Sequence, residues 1–172
     1  LSVDIGNGHD CVHGKAKHGS GDKRQADAKA KIEADSTALF YSALKGQAKT
    51  VTLENEKVAL TLNTKGGTVE KAVIKGYVGH NLEVKDGSAD QKDVTLFDGK
   101  DQCLKFMLEA KEANIITSDL YFTPSNVTKN SVTMTAVAAP GKTLSMTYTL
   151  GKDYMLHMSL QAEGMAGLFS PN

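Results

Sequence analysis

From Thr50 onward, apolar and polar side chains alternate with a period of two, and no other feature constrains the chain as much. The clearest run is Thr143 to Leu150 (TLSMTYTL). There Leu144, Met146, Tyr148 and Leu150 fall on one side, and Thr143, Ser145, Thr147 and Thr149 on the other. Successive strand residues point to opposite faces, so this pattern builds a strand with one apolar face and cannot build a helix. Ser131 to Val137 alternates in the same way, with Val132, Met134 and Ala136 apolar. Pro140-Gly141 separates the two runs: proline presets the first corner of a turn and glycine accepts a positive φ at the second. A short Gly-Lys-Asp loop leads into Tyr154–Leu160, where Tyr154, Leu156, Met158 and Leu160 share a face. Three strands joined this closely form an antiparallel meander.

Earlier strands are expected at Thr50–Glu54, Val58–Asn63, Val69–Tyr77, Val94–Phe97 and Leu104–Leu108. The paired glycines of Asn63-Thr-Lys-Gly-Gly67 permit a tight reversal between the second and third. Strands with one polar face need a sheet covered on one side only, so the expected class is all-β, an antiparallel sandwich. The sequence has no βαβ rhythm and no glycine-rich phosphate loop, which argues against a doubly wound fold.

Residues 1–34 are expected to be a disordered or helical linker ahead of a β domain spanning 35–172. Leu1 to Asp22 is rich in glycine and histidine with almost no hydrophobic period, and reads as disordered. Lys23–Ala34 is built of alanine and charge, which favours helix without supplying a face to bury. From Asp35 to Gly46 a short docking helix is expected. Asp35 or Ser36 would cap its start, Leu39, Phe40, Ala43 and Leu44 would line one face, and Gly46 would end it.

Twenty basic and twenty acidic side chains cancel. A nucleic-acid or anionic-membrane binder normally shows a clustered basic excess, so neither class is favoured. No stretch approaches the ~20 apolar residues that span a bilayer. Cys11 and Cys103 stand far apart in unlike contexts and do not make a disulfide framework.

The search for catalytic, cofactor and metal residues yields no assignment. His9, Cys11 and His13, with His18 nearby, have metal-ligand chemistry, but zinc sites use separated ligand pairs held by a folded scaffold. His157 lies on the polar face of its strand with no acid-base partner in view. Asp98, Asp101 and Asp119 fall in expected loops, where carboxylates usually bond to turns. The methionines at 107, 134, 146, 155, 158 and 165 read as core filling, and Cys103 as a buried inert thiol. Asn126-Val-Thr128 matches the glycosylation pattern, which is short and common by chance. No enzyme and no cofactor are expected.

One family resemblance does extend along the chain. Val51-Thr-Leu-Glu-Asn-Glu-Lys-Val-Ala-Leu-Thr-Leu-Asn-Thr-Lys-Gly-Gly67, followed by Val69 to Tyr77, resembles the opening of the periplasmic domain of YidC membrane-protein insertases. Val94-Thr-Leu-Phe-Asp-Gly99, Ile116-Thr-Ser-Asp-Leu-Tyr-Phe-Thr-Pro-Ser125, Tyr148 through Tyr154 and Glu163-Gly-Met-Ala-Gly-Leu-Phe169 follow in the family's order. The resemblance implies a β-supersandwich of galactose-mutarotase-like architecture on the periplasmic side of the bacterial inner membrane. It implies a part in inserting and folding membrane proteins, alone or with the Sec translocon. The implied partners are translocon components and nascent membrane proteins, with no nucleic acid. Contact with the membrane would come only through segments absent from this chain. The family's groove residues are absent too, so no site is carried over.

Two departures shape the remaining expectations. Leu1 to Asp22 is hydrophilic where the family has a transmembrane helix, and the family's domain continues beyond the position of Asn172. An incomplete sandwich with an uncovered edge is therefore expected. The alternatives are a carbohydrate-binding or mutarotase-like sandwich, and a small metal binder using the His/Cys tail. The first needs an aromatic-lined groove, to which a chain with no Trp contributes little.

Overall fold

The computed structural model describes residues 4–5, 37–76, 93–99, 104–109 and 114–167. Eleven strands occur among them, β1 to β11 in chain order. One antiparallel sheet runs β2 (Thr50–Glu54), β3 (Val58–Asn63), β4 (Thr68–Ile74), β5 (Val94–Asp98). The other has the order β11 (Leu156–Glu163), β10 (Lys142–Leu150), β9 (Ser131–Ala139), β8 (Thr123–Ser125). A small third sheet joins β1 (Asp4–Ile5), β6 (Phe106–Glu109) and β7 (Asn114–Ile116). There is no α-helix among the described residues, and the all-β, antiparallel, sandwich-like class holds.

The alternation becomes a core where β9 and β10 pair. Met134 stands opposite Met146, Val132 opposite Tyr148 and Ala136 opposite Leu144, all buried on the inner face. On the outer face, Ser131–Thr149, Thr133–Thr147 and Thr135–Ser145 hydroxyls pair at 3.3, 3.2 and 3.1 Å. Leu53, Leu60 and Leu62 from the first sheet join the same apolar cluster. Each such fully buried side chain contributes about 1.5–3 kcal/mol of transfer free energy.

Two hydrogen-bonded features register the sheets. At one end, Asn55 Nδ2 donates to the carbonyls of Gly151 (2.8 Å) and Asp153 (2.7 Å). In the middle, the buried Tyr148 hydroxyl donates to the Gly67 carbonyl at 2.5 Å. Gly67 holds φ +62, and a Cβ there would overlap the Met146 methyl, so the Asn63–Gly67 reversal needs glycine for conformation and for space.

β2 and β3 match their expected bounds, and β4, β5, β6, β9 and β10 shift by a few residues at their ends. Three expectations are corrected. The Asp35–Gly46 helix is replaced, over its described part, by turns and a single 3-10 turn, Ser42–Leu44. Phe40, fully buried, sits at φ +66, which an α-helix does not admit. Gly46 is not a left-handed terminator either: a Cβ there would lie 2.7 Å from the Tyr121 side chain, so close packing explains it. Tyr154 belongs to the loop before β11 and not to its inner face. The two-residue β1 lies within residues 1–34. β7 and β8 are additions, each three residues long. Tyr77 and the expected Lys23–Ala34 helix lie outside the described residues.

Candidate functional site

A groove of about 500 Å³ lies between the first 3-10 turn and β8. Its walls come from segments distant in sequence, tied together by main-chain hydrogen bonds. Phe40 N donates to Ala138 O (2.9 Å), and Ser42 Oγ to Val137 O (3.3 Å), docking the turn on the end of β9. Tyr121 N donates to Ala43 O at 2.7 Å. Thr64, 1% exposed, is the hub: its N–H donates to Lys49 O, its Oγ1 accepts from Lys49 N, and its carbonyl accepts from Phe122 N. A buried hydroxyl satisfied in this way fixes the loop 45–49 against β8 without a regular element.

Among the described residues, Lys45 and Lys49 supply all the formal charge on the groove lining. Lys45 Nζ donates to the Tyr41 hydroxyl at 2.6 Å and lies 4.2 Å from the ring centroid, a cation–π arrangement. Lys65 stands 5.8 Å from the Tyr121 ring, which itself lines the groove. Hydroxyls of Ser42, Thr123 and Thr135 and the apolar surfaces of Pro124 and Val137 complete it. Among the described residues, Tyr121 is the one aromatic ring at the groove surface, since Phe122 is buried.

The residues singled out in the sequence lie elsewhere. His157 is exposed on the outer face of β11, opposite Thr149. Asp98 is the last residue of β5, opposite Lys71, and so is not in a loop; Asp119 lies in a second 3-10 turn, Thr117–Asp119. Met134, Met146 and Met165 are buried core, whereas Met155 is 58% exposed. In the glycosylation-like triplet, Thr128 Oγ1 bonds within its own turn, to Asn130 Oδ1 and Ser131 O. His9, Cys11, His13, His18, Asp101 and Cys103 lie outside the described residues. Among the described residues no three His, Cys, Asp or Glu side chains are grouped to hold a metal. No helix among them is long and apolar enough to cross a membrane. Sequence reasoning missed the groove, whose visible signals were the buried-turn Thr64 and the lysine pair flanking Gly46.

Residues 50–167 match the profile of the YidC periplasmic domain. The chain is 41% identical over 143 residues to the membrane protein insertase YidC of Phocaeicola vulgatus, covering 83% of this chain and 22% of that protein. It is 37% identical over 143 residues to the Bacteroides fragilis protein of the same name, with the same two coverages. Against that of Parabacteroides distasonis it is 34% identical over 140 residues, 80% of this chain and 21% of the relative. The chain thus spans about a fifth of the length of the curated relatives it matches. No solved structure matches it.

Proposed function

Because this chain belongs to the YidC periplasmic-domain family, whose members are insertases and not enzymes, we propose that it is the extracytoplasmic module of a membrane-protein insertase. In that role it works at the periplasmic face of the bacterial inner membrane and assists the insertion and folding of integral membrane proteins, alone or beside the Sec translocon. The observation that carries the reading is the match over residues 50–167, which takes in ten of the strands described above. Its partners are translocon components and nascent membrane proteins, met through the full-length protein.

Residues 35–172 are, on this reading, the first part of the sandwich, with 1–34 as linker. β11 supports it: Leu156 and Leu160 are only half-buried and Met158 is 38% exposed on what should be the inner face. Its free edge carries no proline or lysine to block a further strand. The sugar-binding alternative has less support, because the groove presents a single ring where stacking recognition uses several.

The test is made in the full-length protein. Cells depleted of their own insertase receive either intact protein or a version lacking 50–167, and cross-links to translocon subunits and the insertion of a reporter membrane protein are measured. Fewer translocon cross-links and slower insertion in the deletion are expected. Unchanged cross-linking and unchanged insertion would remove the assisting role.

A further inference from the structure

We infer that the groove between the first 3-10 turn and β8 is a binding site for an acidic polypeptide segment held in extended conformation. Charge is the first argument. In a chain whose acids and bases balance, Lys45 and Lys49 line the groove, Lys65 stands over the adjoining Tyr121 ring, and among the described residues no carboxylate lines it. A one-signed concavity selects a partner of the opposite sign and raises its encounter rate.

Shape and wall chemistry narrow the partner. A volume of about 500 Å³ admits a few residues of extended chain. The walls combine hydroxyls (Ser42, Thr123, Thr135) with apolar surface (Pro124, Val137), which suits a peptide that carries both backbone polar groups and side chains. A small inorganic anion calls for a cage of convergent N–H donors, yet in this groove the main-chain N–H groups of Lys49, Tyr121 and Phe122 are already bonded within the fold. β8 is three residues long and contains Pro124, so its edge resists strand addition and side chains must do the recognising. Lys45, steadied by Tyr41, is pre-placed for this. The groove's chemistry stands apart from the insertase reading, and its assay needs no membrane.

The experiment titrates the 172-residue chain into fluorescein-labelled hexaglutamate and follows polarisation, with hexaglutamine as the neutral control. Saturable binding of hexaglutamate that weakens with added salt, and none of hexaglutamine, is expected. Lys45→Glu combined with Lys49→Glu weakens it by at least about ten-fold. Lys57→Glu combined with Lys152→Glu makes the same change of charge at the far end of the strands, and leaves the affinity unchanged. All four positions are on the surface, and thermal melts confirm that both double variants stay folded. Equal loss in the two double variants would reduce the effect to net charge and overturn the site. So would displacement of the peptide by millimolar inorganic phosphate, which marks a small-anion site. Lysine-dependent binding to phosphatidylglycerol vesicles without peptide binding would assign the groove to lipid headgroups instead.

Discussion

Replacing Tyr148 with Phe removes one oxygen from the middle of the sandwich, and its consequences can be worked out at two pH values. The ring keeps its place beside Val132 and Met158, but the Gly67 carbonyl loses the donor that reaches it across the sheets. A buried acceptor left without its partner costs about 1–3 kcal/mol, so Tyr148→Phe should lower stability by that amount at pH 7. The same burial pushes the Tyr148 phenol from 10.0 up to about 12. A folded-state value above the unfolded one means the stabilisation is complete below the unfolded value and is lost as pH rises toward the folded one. Two units correspond to about 2.7 kcal/mol, comparable to the hydrogen bond itself. The advantage of Tyr over Phe is therefore present at pH 7, declines above pH 10 and is gone near pH 12. Urea unfolding of both proteins across this range provides the assay, because the difference between them cancels lysine titration common to both. A Phe variant as stable as the parent at pH 7, or a difference that does not change with pH, would refute the reasoning.

The remaining predictions concern the turn, the core and the surface ion pairs. Gly67→Ala meets both a left-handed backbone and the Met146 methyl, and should cost about 1–3 kcal/mol in urea unfolding. Most of the steric part should return when Met146→Ala is added. Leu144→Ala, at a fully buried position opposite Ala136, should cost about 2–5 kcal/mol. Leu96→Ala, 59% exposed on β5, should stay within about 0.5 kcal/mol, and the two midpoints compared side by side check the assignment of faces. Lys75 at 3.1 Å, and then Lys129 at 3.7 Å, hold the Glu54 carboxyl below its usual 4.5. That contribution is present above pH 4.5 and lost as pH falls through the lowered value, so Glu54→Gln should flatten the acid limb of the stability profile.

Legibility in the sequence followed the range of the forces involved. β2, β3, β9 and β10 could be read because each carries its own alternation, and the burial pattern of β9 repeats it residue by residue up to Ala136. β7 and β8 could not, since three residues hold too little pattern and pairing with β6 and β9 creates them. The stretch around Phe40 has helical spacing, but its N–H is claimed by Ala138, almost a hundred residues later, and its backbone turns left-handed to reach it. Tertiary contact overrode local propensity there. The groove failed to show for the same reason: Lys49, Thr64 and Tyr121 meet through long-range bonds, Thr64 to Lys49 and Phe122, and Tyr121 to Ala43. Family likeness, in contrast, was legible, because the Asn-Thr-Lys-Gly-Gly reversal and the strands around it keep their order along the chain.

The central claim, that this chain is the periplasmic part of an insertase, is tested most directly by reading the source DNA on both sides of residues 1–172. The account predicts an apolar span of ~20 residues upstream, then further β sequence after Asn172 and several more such spans downstream. An open reading frame that closes soon after Asn172, with no apolar span on either side, would contradict it.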